Sequence, residues 1–193
     1  MSSLNNRIDL LENDLKANPP RISVYHDLPF AIFRYDPEQE WAIRREARLL
    51  ATRLDEAGKK TSIVRISDFL WKGIQNSEGI DEVVELEKER GYPAAQEQIT
   101  TYLSDSDWCP LSELLSEHFQ SLDKSVEIVF LIRAASMAPG IYHISKLLNQ
   151  MQGKTSVNVI LFYPGSIEGT TGLRFMDLKD RDTLGNYRVK IYG

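Results

Sequence analysis

Phosphate binding is the chemistry that glycine, lysine and hydroxyl residues in short runs most readily suggest, and two runs here invite it. Gly153-Lys154-Thr155 looks like the end of a phosphate loop. Such a loop runs strand, glycine turn, helix, so that backbone N–H groups and the helix N-terminus face the phosphates. Here Leu148 stands where the first glycine belongs, and the triplet follows a helical pattern and precedes an apolar run. That order makes it a helix-to-strand turn. Gly58-Lys59-Lys60-Thr61 has the same reversed context, so the chain lacks a Walker A loop.

Two further segments stand where ligands bind in doubly wound sheets, just past the carboxyl end of a strand. The first is Arg133-Ala134-Ala135-Ser136-Met137-Ala138-Pro139-Gly140. It has one glycine and no lysine, so a grip on an anion would rest on Arg133, Ser136 and the following helix start. The second, residues 164–172, reads as a glycine-rich loop with Gly165, Gly169 and Gly172 at spacings of four and three. That spacing differs from the dinucleotide fingerprint, and Gly165-Ser166 does not complete the Gly-x-Ser-x-Gly nucleophile elbow. Glycines there suit positive φ in a tight surface loop. Tyr163, Pro164, Gly165, Gly169 and Arg174 are therefore candidates for partner or ligand contact, together with Arg133 and Ser136.

The other reactive types are scattered. His26, His118 and His143 have no second ligand at metal spacing. Cys109 precedes Pro110 with no histidine beside it, which gives no support for a catalytic thiolate. No pair of carboxylates stands out for acid–base work. The expectation is a protein without a catalytic set, metal or cofactor.

The elements that would position these residues alternate. Leu4, Ile8, Leu11 and Leu15 recur at helical spacing and Pro19-Pro20 ends the run, which predicts an amphipathic helix over 1–18 packed on the body. Residues 29–35 read as a buried strand. Asp36-Pro37 then opens a helix to about Ala57, with Asp36 as cap, Gln39 as its capping-box partner, and Trp41, Ala47, Leu50 and Leu54 facing inward. Residues 61–66 make a second strand, and Ser67-Asp68 caps a helix containing Phe69, Leu70, Trp71 and Ile74. Residues 77–122 are helical, broken at Gly91-Tyr92-Pro93 and Cys109-Pro110. A central strand over 125–132, a helix over 139–151, a strand over 157–163 and a last strand over 187–192 complete the pattern. Strands apolar on both faces that alternate with helices predict a three-layer α/β fold, with a mostly parallel central sheet and helices on both faces. All 193 residues are expected to form one domain.

Composition narrows the function. The chain is 42% hydrophobic and 26% charged, with a formal net charge of −5, which argues against general nucleic-acid binding. Thirteen Asp or Glu against three Lys or Arg fall between Glu78 and Glu127. The simplest reading is a solvated helical face, the alternative a steered protein interface. From Thr171 onward, five Lys or Arg against three Asp give a slightly basic tail, the basis for a weaker DNA-contact reading. One cysteine suits a reducing compartment. The first residues lack the apolar stretch of a secretory signal, and no apolar run approaches the roughly 20 residues of a membrane span. A cytoplasmic protein is expected.

Three blocks together resemble a known family. Phe162-Tyr163-Pro164-Gly165, then Gly169, then Leu173-Arg174-Phe175-Met176, and finally Asn186-Tyr187-Arg188-Val189, is similar to the ending of BrxB proteins of the BREX phage-exclusion systems. Residues 28–37 resemble that family's strand-to-helix junction, and Lys146-Leu147-Leu148-Asn149-Gln150-Met151 its Leu-Leu-Asn-x-Leu helix. Departures are Asn186 for the first Tyr of the closing motif, Val189-Lys190 for Ala-Phe, and Arg-Ala-Ala-Ser for a glycine-rich turn after Ile132. The resemblance implies a fold similar to nucleotide-binding α/β domains without their phosphate-binding residues. It also implies a small non-enzymatic subunit whose partner is PglZ, the component with an alkaline-phosphatase-like domain. The alternative reading is a regulatory protein or enzyme that binds a nucleotide or phosphate ligand through the 133–140 turn and the 164–172 loop, with His143 and Arg174 nearby.

Overall fold

A computed structural model describes residues 3–22, 28–169, 172–178 and 189–193. His26, the 179–188 part of the basic tail and the Asn186-Tyr187-Arg188 motif lie outside the described residues.

The chain opens with α1 (Leu4–Lys16), then β1 (Phe30–Tyr35), α2 (Glu40–Glu56) and β2 (Lys60–Arg65). Four helices follow: α3 (Ile66–Asn76), α4 (Ile80–Arg90), α5 (Tyr92–Ser104) and α6 (Leu111–Gln120). Then come β3 (Glu127–Ile132), α7 (Ile144–Met151), β4 (Asn158–Glu168), β5 (Gly172–Phe175) and β6 (Lys190–Tyr192). The sheet order is β2-β3-β4-β1-β6, all parallel, with β5 antiparallel to β4 beyond the parallel ladder.

The apolar runs explain this arrangement. All six residues of β1 and of β3 are buried, as a strand needs when helices cover both faces. Alternate residues divide between two cores. Ala31, Phe33, Phe130 and Phe162 meet α1 and α2 through Leu11, Leu15, Ile43, Leu50 and Leu54. Phe30, Ile32, Leu131 and Leu161 meet α3, α6 and α7 through Leu70, Leu115, Phe119 and Leu147. Each fully buried Leu, Ile or Phe contributes about 1.5–3 kcal/mol. A small third core around Ile74, Val83, Ala95 and Tyr102 holds α4 and α5 to α3.

Helix α1 is locked in place. The Asp14 carboxylate is buried and accepts hydrogen bonds from Lys190 Nζ (2.5 Å) and the Tyr192 hydroxyl (2.8 Å), which ties the helix to β6. Glu12 meets Arg53 of α2 at 2.7 Å, and the Arg7 guanidinium donates to the Arg34 carbonyl at 2.6 Å.

Several expectations need correction. Trp41, expected inside, is 78% exposed, because at about 100° per residue it falls on the opposite side of α2 from Ala47, Leu50 and Leu54. Ile43, which shares a face with those three residues, takes the inward position. Asp36 caps nothing with its side chain and instead accepts from Arg34 at 2.5 Å. Ser67 and Asp68 lie inside α3, whose cap residue Arg65 makes no side-chain cap bond. The helix expected from Pro139 starts at Ile144, after a 3₁₀ turn over Ala134–Met137. The largest correction concerns 164–172. It was expected as a loop, yet β4 runs through to Glu168 and turns back as β5.

Candidate functional site

The carboxyl ends of β1, β4 and β3 lie side by side, and all seven candidate residues fall at or beyond this edge. Tyr163 is the Cα partner of Arg34 on β1. Arg133 follows β3 directly, two residues past Leu131, the partner of Leu161, at the carboxyl end of the strand on the other side of β4. The edge thus carries an arginine near the carboxyl ends of both strands that flank β4.

The turn after β3 uses its own polar groups. Arg133 is left-handed at φ 62° and begins the 3₁₀ turn. The Ser136 backbone N–H and its hydroxyl both donate to the Arg133 carbonyl, at 3.1 and 2.8 Å. The hydroxyl expected to hold an anion therefore closes the turn, which suits a serine three residues along. His143 is the residue before α7, and its carbonyl accepts from Leu147 N–H at 3.0 Å.

The block at 163–174 forms a hairpin. Tyr163 is 1% exposed and its ring meets Phe175 edge-on at 5.6 Å. Pro164 pairs with Tyr35 in the parallel ladder, and its carbonyl accepts from Met176 N–H at 2.9 Å. Gly165 is required by close approach: at φ 150° it lies opposite Phe175, and a Cβ there would stand 2.0 Å from the Arg174 carbonyl oxygen. Gly169 takes φ 65° in the turn, with no described residue within 4 Å of an added Cβ. Arg174 forms an ion pair with Glu168 across the hairpin. These residues are the fabric of a β-ribbon that extends the sheet past its carboxyl edge.

Arg34, which sequence reasoning did not single out, joins Arg133 at this edge. Nε of Arg34 and of Arg133, and Oε1 of Gln39, are buried without a hydrogen-bond partner among the described residues. Arg34 became visible only through the sheet, because its charge interrupts an otherwise apolar strand. Near it, the Tyr35 hydroxyl donates to Glu40, and burial pushes that phenol well above its ordinary range.

Away from the edge, α3 and α6 form a groove of about 340 Å³ lined by Asp68, Phe69, Lys72, Leu114, Glu117 and His118. His118 stacks against Phe69 at 5.4 Å, which accounts for it as a packing residue. Among the described residues no group of three or more His, Cys, Asp or Glu is placed to hold a metal ion. No helix among them is long and apolar enough to cross a membrane.

Charge is displayed on two faces. On α4, Asp81, Glu82, Glu85, Glu87 and Glu89 are exposed, and Glu85 pairs with Lys88 at 2.6 Å. The outer face of α2 exposes Trp41, Arg45, Arg48 and Leu49.

A family model described as BrxB, BREX protein BrxB, matches residues 62–191. No curated protein and no solved structure matches the chain.

Proposed function

The chain belongs to the BrxB family of BREX phage-defence proteins, and from that premise we propose that it is a non-catalytic docking subunit whose partner is PglZ. The observation that carries this reading is the hairpin at the sheet's carboxyl edge. Where nucleotide-binding relatives of the architecture keep glycine backbone and a lysine for phosphate, this chain folds a ribbon over the strand ends. The Ser136 hydroxyl and the Arg174 guanidinium are engaged by their own neighbours. What remains for function is surface, and the surface is uneven in charge and bears exposed aromatics.

The experiment is co-expression with the PglZ of the same defence system, followed by size-exclusion chromatography with light scattering. A co-eluting species whose mass is a whole-number combination of the two chains supports the reading. Separate elution at micromolar concentrations counts against PglZ as the partner.

A second reading rests on Arg34 and Arg133, at the carboxyl ends of the strands that flank β4, whose buried Nε atoms lack partners among the described residues. An anion recruited there would make the protein a phosphate or nucleotide binder. Binding must then stabilise the fold by mass action, so millimolar ATP or inorganic phosphate would raise the melting temperature. An unchanged melting temperature removes this reading.

A further inference from the structure

We infer that the outer face of α2 is the docking surface, and that the partner covers it with a protein surface in which carboxylates surround an apolar recess. The inference rests on the docking reading and deepens it.

The inner face of α2 is fully used: Ile43, Ala47, Leu50, Ala51 and Leu54 are buried against the sheet and α1. The outer face is anomalous. Trp41 is 78% exposed and Leu49 44% exposed, eight residues and therefore about two turns apart on one side of the helix. Arg45 and Arg48 lie between them and are exposed.

The indole is held in position by a chain of contacts that starts in the core. The buried Tyr35 hydroxyl donates to Glu40, Glu40 accepts from Arg44 Nε at 2.7 Å, and the Arg44 guanidinium covers the Trp41 ring at 4.8 Å. An exposed tryptophan held by such a network loses little further freedom on association, the condition for an anchor residue. Tryptophan and arginine are also the types that carry most interface energy.

Charge selects the occupant. Arg53 is committed to Glu12 and Arg44 to Glu40. Arg45 has only Glu46 at 4.0 Å, and Arg48 has no ion pair among the described residues. Two guanidiniums beside apolar side chains call for carboxylates with an apolar centre, the chemistry of an acidic protein surface. A nucleic acid fits less well, because Glu46 and Glu56 border the face, Leu49 would meet phosphates, and the chain carries a net charge of −5.

The test uses the full chain expressed with the other BREX components. Photo-reactive benzoylphenylalanine replaces Leu49 in one strain and Val84 on α4 in another; in parallel, PglZ binding is measured for Trp41→Ala and for Arg45→Glu with Arg48→Glu. Expected are a crosslink from position 49 to an acid-rich segment of a BREX component, and affinity at least tenfold weaker in both variants with unchanged melting temperature. Elevated salt should weaken the wild-type complex and narrow its advantage over the charge-reversed variant. Wild-type affinity in both variants overturns the inference while leaving the PglZ reading intact. If PglZ does not bind, a position-49 crosslink to another BREX component upholds this surface and refutes PglZ as its occupant. No crosslink at 49, a crosslink at 84 alone, or a crosslink from 49 to a second copy of this chain overturns it.

Discussion

Replacing Gly165 by alanine tests whether the Phe-Tyr-Pro-Gly block is architecture or a pliable binding loop. The added Cβ would stand 2.0 Å from the Arg174 carbonyl oxygen and 3.0 Å from both the Arg174 carbonyl carbon and Tyr163 Cε1. Reaching ordinary contact requires β5 to retreat by more than about 1 Å. Retreat strains the pairing of Gly165 with Phe175 and loosens Leu173 and the Phe175–Tyr163 contact. Overpacking costs about 1–3 kcal/mol, and a side chain at positive φ adds about 1–2 kcal/mol. The expected loss is therefore roughly 2–5 kcal/mol, a large share of the ~5–15 kcal/mol that holds a typical domain folded. Gly169→Ala is the internal control. Its φ is 65° but no described residue lies within 4 Å of its Cβ, so only the backbone cost of about 1–2 kcal/mol applies. Urea unfolding followed by tryptophan fluorescence and circular dichroism reads both variants. Equal losses for the two would refute the argument, because they would mean that β4 and β5 do not pack as a ribbon beyond Pro164.

Three further outcomes follow from the same contacts. Asp14→Asn removes the charge that Lys190 and Tyr192 share and leaves one neutral amide oxygen for both donors, with Lys190 still bonded to the Arg21 carbonyl, at a cost of about 1.5–3 kcal/mol by urea unfolding. The acid limb of stability follows from carboxyls that the fold holds below their ordinary range. For Asp14, burial pulls upward but the bonds from Lys190 and Tyr192 prevail; for Glu127, the Lys60 bond leads. The folded state then binds fewer protons than the unfolded chain, so this stability is present above the ordinary carboxylate range and is lost as pH falls through the folded values. Melting temperature measured from pH 6 down to 3 should fall, with a shallower slope for Asp14→Asn than for wild type; parallel slopes would remove Asp14 from the account. Ser136→Ala deletes one hydrogen bond within a turn and should cost about 0.5–1.5 kcal/mol by urea unfolding. A loss beyond that range would mean that the hydroxyl does more than close the turn.

Much of the fold was legible because apolar runs with no polar face, such as Ile128–Ile132 and Val159–Phe162, belong to parallel strands covered on both sides. Two kinds of feature were not. Trp41 was misplaced because its residue type suits a core, while its position in α2 falls opposite Ile43, Ala47, Leu50 and Leu54. The 164–172 segment read as a loop because Pro and Gly normally interrupt strands. Pro164 fits because its missing N–H falls at the end of the ladder, and Gly165 fits because the neighbouring backbone passes too close for a Cβ. The candidate site residues were named by type and order, which say nothing of the part each plays in the fold. Ser136 and Arg174 look like ligand donors until the turn and the ribbon that employ them are seen. The network from Tyr35 through Glu40 and Arg44 to Trp41 joins a strand to a helix, and no periodicity encodes it.

The most direct test of the proposal that this protein contributes a surface rather than a chemistry is phage plating on cells with an otherwise intact BREX system that carry Arg133→Ala with Ser136→Ala. The account predicts restriction at the wild-type level while the variant accumulates normally. Lost restriction, from a variant that is folded and still bound to its partner, would contradict it and assign a ligand to the carboxyl edge.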